Sequence, residues 1–144
     1  MQRLPDWRRR LTEFITENRN TPHEPGVWDC ALGVANGALM AVRGEDFGAA
    51  YRGRYTTIKE GYALLREIDG VATPRGLASK RLGRSKPPAF ARAGDIVCDA
   101  QGALGVFYAG EGWFAGEEQS SDGALVSAGF ITIPRNQLKA CWHV

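Results

Sequence analysis

Three cysteines, two histidines and a scatter of carboxylates are the side chains of this 144-residue sequence suited to nucleophilic or acid–base chemistry. Cys30 stands where a nucleophile is commonly mounted. It follows Asp29 in Val27-Trp28-Asp29-Cys30, and the next residues, Ala31 to Val42, are small and apolar on nearly every side. Asp is a good helix N-cap, so this pattern predicts a buried helix with Cys30 in its first turn. There the thiol would feel unpaired backbone N–H groups and the positive end of the helix dipole, both of which favour the thiolate. A lone cysteine at the start of an apolar helix is equally a small core residue, so the chemistry depends on a base. His23, in the loop before Cys30, and His143, beside the C-terminal residue, are the candidate bases. Asp29 has two readings as well, a helix cap or an orienting group for such a base, and the cap is the one we adopt.

The elements that must position these groups follow from hydrophobic periodicity. Asp6 can cap a first helix in which Trp7, Leu11, Phe14 and Ile15 form one apolar face. Thr21-Pro22-His23-Glu24-Pro25-Gly26 is a loop delivering the chain to Cys30. A short helix is expected over Phe47 to Tyr51. Thr57-Ile58-Lys59-Glu60 has capping-box form, with Ile58, Tyr62, Leu64, Leu65 and Ile68 as an apolar stripe before Asp69-Gly70 stops the helix. Another short helix is expected from Pro74 to Leu82.

Beyond Pro88 the period changes to alternation. Strands are expected over residues 93–98, 104–109, 112–115, 124–127 and 130–133, with 140–144 closing the set. Helices first and short antiparallel strands afterwards mean α+β rather than alternating βαβ. Five or six such strands can curl into a small half-barrel against the cysteine helix, in a single domain spanning residues 1–144.

Composition narrows the function classes. Hydrophobic residues at 44% and charged ones at 24% are ordinary for a globular chain. The first ten residues lack the apolar core of a signal peptide, and no run reaches membrane-spanning length, so folding in a cytoplasm is expected. Cys30, Cys98 and Cys141 are spaced for neither a disulfide framework nor a metal clamp, and His23 and His143 do not complete one. No metal or cofactor is therefore expected, and Cys98 and Cys141 read as core. Charge is uneven: residues 1–92 carry 16 Lys and Arg against 10 Asp and Glu, residues 93–144 only 2 against 6. A total of +2 is too small for a committed nucleic-acid binder. Asp95 reads as satisfying turn backbone, and Trp28, Trp113 and Trp142 as buried aromatics or, alternatively, the walls of a substrate groove.

Asp29-Cys30-Ala31-Leu32-Gly33, then Gly94-Asp95-Ile96-Val97, then Ala103-Leu104-Gly105-Val106-Phe107 together resemble the NlpC-type branch of the papain-like cysteine peptidases, which cut peptide bonds in bacterial cell walls. More closely, Arg43-Gly44-Glu45-Asp46, Tyr51-Arg52-Gly53-Arg54-Tyr55, Gly102-Ala103-Leu104-Gly105-Val106 and Cys141-Trp142-His143-Val144 are similar to a family of phage and prophage proteins related to that branch. The resemblance implies a papain-like fold with Cys30 at the nucleophile position. It also implies a histidine at the start of the strand after Gly-Asp, and the aligned residue here is Ala103. Alanine can neither accept the thiol proton nor protonate a leaving amine.

The expectation is therefore a structural or assembly component of a phage or prophage tail, near the tail tip. Other tail proteins would be its partners and the virion its destination after synthesis in the host cytoplasm. The alternative is a working cysteine hydrolase that opens peptidoglycan peptides as a phage enters its host, with Cys30 attacking and His23 or His143 as base.

Overall fold

A computed structural model of the chain describes residues 2–119, 121–123 and 125–144. Its architecture is α+β, with the helical segments in the first part of the chain laid against an open antiparallel sheet. The first helix, α1 (Trp7–Glu17), buries Leu11 and Ile15 and keeps Arg9 outside, paired with Asp6 at 2.7 Å and Glu13 at 2.8 Å. Asp6 occupies the N-cap position, but its carboxylate goes to Arg9 rather than to helix N–H groups. Full burial of Leu11 and Ile15 contributes roughly 1.5–3 kcal/mol each.

The cysteine helix begins as a π-wound turn, Cys30–Ala35, and continues as α2 (Asn36–Arg43). The wide winding shows in the Val34 N–H, which donates to the Asp29 carbonyl at 3.0 Å, five residues back. Such widened turns are rare and occur often at functional sites. Gly33 lets the turn lie on Trp28: a Cβ there would stand 2.8 Å from the Trp28 Cα and 2.9 Å from its ring. Next come α3 (Ile58–Leu64), continuing as a π-wound turn over Leu65–Asp69, and α4 (Pro74–Leu82). Thr57 caps α3 by accepting from the Glu60 N–H at 3.1 Å while the Glu60 carboxylate reaches back to Thr56 and Thr57, as the capping box requires. Gly70 ends the following turn in the left-handed region, φ +68°, where a glycine is favoured.

Residues 47–51 do not form the expected helix. Asn36 accepts from the Phe47 N–H at 2.7 Å and donates to Asp46 at 2.9 Å, and Asp46 accepts from the Gly48 N–H at 2.9 Å. These side chains satisfy the backbone locally, so the segment stays a loop ending in a turn around Tyr51.

The five-stranded sheet runs in the order β6 (Phe130–Pro134), β3 (Glu111–Ala115), β2 (Leu104–Tyr108), β1 (Ile96–Cys98), β7 (Ala140–Trp142), all antiparallel. The strand expected at 124–127 is not part of it. Leu125–Ser127 (β5) pairs with Glu118–Gln119 (β4) in a separate two-stranded ribbon, because Phe130 pairs directly with Ala115 and the intervening chain must loop out; Ala124 lies outside the described residues. Alternation along the strands splits the core. Ile96, Cys98, Leu104, Val106 and Trp142 face the helices, whereas Val97, Phe107, Phe114 and Cys141 face a second layer containing Ala91 and Leu138.

Candidate functional site

Asp29 is the pivot of the candidate site. Its Oδ1 accepts from the N–H groups of Leu32 at 2.7 Å and Gly33 at 3.4 Å, and its Oδ2 accepts from the Gly26 N–H at 3.0 Å and from the Tyr55 hydroxyl. A carboxylate so engaged acts as a helix cap and as a clamp on the preceding loop. It has no capacity left to orient a base. Tyr55 comes from the segment before α3; burial and the bond to Asp29 raise its pKa, so the phenol stays a donor. The sequence reading missed this partner. Its one local trace is a second tyrosine four residues earlier, Tyr51, whose hydroxyl donates to Asp69 in the same manner.

The cap places Cys30 at the start of the π-wound turn, half-buried. The expected thiolate does not follow. Burial pushes the Cys30 thiol up to about 11, the charge of Asp29 pushes the same way, and only the Leu104 N–H works against them. Desolvation outweighs the field of the helix end because no cation lies beside the thiol among the described residues.

Leu104 opens β2, so the start of that strand lies against Cys30, and Ala103, immediately before it, shares with Cys30 the wall of one cavity. This is where the resemblance would place a histidine. The two histidines of the chain lie elsewhere. His23 is exposed and lines the same cavity, but no hydrogen bond or ion pair joins it to Cys30 among the described residues. His143 is not part of that lining: its Nε2 lies 3.0 Å from the Phe90 carbonyl and 3.7 Å from Asp95.

The cavity measures about 290 Å³ and lies between the Cys30 turn, α3, α4 and the start of β2. Its walls are mainly apolar, with Leu39, Leu65, Leu77, Leu82 and Ile96 among them. Ile58 and Tyr62, expected in the core, are 49% and 38% exposed; they belong to the face of α3 that looks into this opening. Among the described residues no three His, Cys, Asp or Glu side chains gather where they could hold a metal ion.

The remaining candidates are structural. Asp95 is fully buried and accepts from the N–H groups of Arg92 at 2.9 Å and Val144 at 3.1 Å and from Arg3 at 3.1 Å, while Arg3 also donates to the carbonyls of Val144 and Ala93. It joins both ends of the described chain to the start of the sheet. Trp28 and Trp142 are buried, and Trp113 stacks edge-on against Phe130 and Tyr108; none of the three lines the cavity. Cys98 and Cys141 are fully buried free thiols on neighbouring strands.

Comparison with known proteins gives one family. Residues 2–144 match the family described as "Domain of unknown function (DUF6950)". The chain belongs to it. No curated protein and no solved structure matches the chain. Membership therefore covers nearly the whole length described above, and chemistry must be argued from the site itself. No helix among the described residues is long and apolar enough to cross a membrane.

Proposed function

We propose that the chain is a structural or assembly component of a bacteriophage or prophage tail, in the tail-tip region, built on a degenerate NlpC-type papain-like fold in which Cys30 is vestigial. The observation that supports this most is that Cys30 shares its cavity wall with Ala103. A cysteine peptidase needs a base there to take the thiol proton and later protonate the leaving amine. Here the thiol is held protonated by burial, the residue at the expected base position is an alanine on the same cavity wall, and the carboxylate beside the thiol is saturated by its own loop and by Tyr55. The phage setting comes from the sequence resemblance, and a fold can outlive its chemistry and serve as a docking part. Other tail proteins are the partners in this reading.

One observation favours a second reading, a cysteine hydrolase acting on peptidoglycan peptides: His23 lines the same cavity as Cys30. Two measurements separate them. Particles carrying this chain are purified and their composition measured, with Cys30→Ala in parallel; a fixed copy number per particle, unchanged by Cys30→Ala, supports the assembly role. Purified protein is then incubated with peptidoglycan stem peptides. Cleavage lost in both Cys30→Ala and His23→Ala would establish the hydrolase and remove the assembly reading.

A further inference from the structure

The cavity beside Cys30 has a property separate from the missing base. Every polar side chain that reaches its interior is already committed to another part of the protein. Asp29 is taken by three backbone N–H groups and Tyr55. Asn36 is taken by Asp46 and Phe47. The Tyr51 hydroxyl and the Nε and Nη2 of Arg81 are taken by Asp69. What remains facing the space is alkyl and aromatic surface, with His23, Ile58 and Tyr62 at the exposed rim.

Charge excludes most of what a wall-cleaving enzyme would bind. A stem peptide carries free carboxylates, and Arg81, the basic side chain of the lining besides His23, is held by Asp69 at 2.9 Å. An anionic ligand would have to compete with Asp69 for Arg81 and would lose its hydration. An uncharged apolar ligand loses nothing of the kind. Apolar cavities in proteins bind small apolar molecules in just this way, and about 290 Å³ is at the lower end of ligand pockets. It holds about ten groups the size of a methylene, each taking roughly the 30 Å³ of a liquid water molecule.

We propose that this cavity is a binding site for a small uncharged apolar ligand, of the size of a ten-carbon aliphatic chain or a pair of aromatic rings, with Cys30 contributing its sulfur to the wall. This rests on the reading of Cys30 as a non-catalytic thiol, and extends it by naming what the former site accepts. Cys30 also supplies a reporter, since Cys98 and Cys141 are fully buried and Cys30 is only half-buried.

The test uses the neutral two-ring fluorophore 1-naphthylamine with the full chain. Expected are saturable fluorescence at one dye per chain, displacement by decan-1-ol, and no displacement by an anionic stem peptide of peptidoglycan. Saturating decan-1-ol should slow alkylation of Cys30 by N-ethylmaleimide at least fivefold, and Leu77→Trp, which fills the space from α4, should weaken dye binding at least tenfold. If Leu77→Trp does not fold, the alkylation measurement on the wild-type chain decides alone. Absence of saturable binding, displacement by the stem peptide, or binding that leaves Cys30 alkylation unchanged would overturn the proposal. Those results leave the assembly reading intact, whereas Cys30-dependent cleavage of stem peptides would overturn that reading and leave the dye result standing.

Discussion

Replacing Asp29 by alanine is the perturbation with the largest consequence that the structure allows to be worked through. The carboxylate is 5% exposed and receives the N–H groups of Gly26 at 3.0 Å and Leu32 at 2.7 Å, a longer contact from Gly33, and the Tyr55 hydroxyl. Loss of an N-cap alone costs about 0.5–2 kcal/mol. Two further buried donors, the Gly26 N–H and the Tyr55 hydroxyl, are left unsatisfied at about 1–3 kcal/mol each. Relaxation recovers part of this, so Asp29→Ala should cost about 3–5 kcal/mol, a large share of the roughly 5–15 kcal/mol that holds a domain folded. Tyr55→Phe removes one donor and leaves the cap in place, costing about 1–2 kcal/mol. In the double variant no phenol is stranded, so the combined cost should fall short of the sum by at least about 1 kcal/mol. Urea unfolding followed by tryptophan fluorescence measures all three, with the slope of the transition unchanged. Additive costs, or an Asp29→Ala cost below about 1 kcal/mol, would refute the clamp.

Ala103→His puts an imidazole on the cavity wall that also holds Cys30; while that ring is protonated, its charge lowers the thiol pKa by roughly 1–3 units, so in a pH titration of alkylation the rate near pH 6 should exceed that of the wild type about 10- to 1000-fold. An unchanged titration would mean that Ala103 does not face the sulfur. Gly33→Ala should destabilise by about 1–3 kcal/mol in thermal or urea unfolding, because its Cβ would meet Trp28 at 2.8–2.9 Å. Asp46 is held down at about 2, first by Arg52, then by Asn36 and the Gly48 N–H. Its folded pKa lies below its unfolded one, so the stability it contributes is present above about pH 4 and is lost as pH falls towards 2. Asp46→Ala should show a shallower loss of stability over that window, read from urea midpoints at successive pH values.

How far the sequence could be read divides along the range of the interactions. Asp29 as a cap, the Thr57 capping box, the stop at Gly70 and the strands of the sheet depend on neighbours a few residues away, and all are present in the fold. Asp69 and Tyr51, or Asp29 and Tyr55, are paired across 18 and 26 residues, and no spacing rule announces such a bond. The residues from Phe47 to Tyr51 read as a short helix, yet Asn36 and Asp46 take the backbone N–H groups of Phe47 and Gly48. The thiol illustrates the same divide: the field of a helix end is visible in the residues around Cys30, while the desolvation that overrides it comes with the packing of β2 and β3 against the Cys30 turn. Ala103 was legible through alignment with the resembling peptidases. That Cys30, Ala103 and His23 share one apolar cavity is a property of the folded chain.

The claim at the centre of this account is that Cys30 is a protonated thiol without a base. Its pKa, taken from the pH dependence of alkylation in the wild-type chain and in His23→Ala and His143→Ala, tests that most directly. A value near 11, shared by all three proteins, is expected. A thiol titrating well below the ordinary cysteine range, and rising when either histidine is removed, would show a working dyad and contradict it.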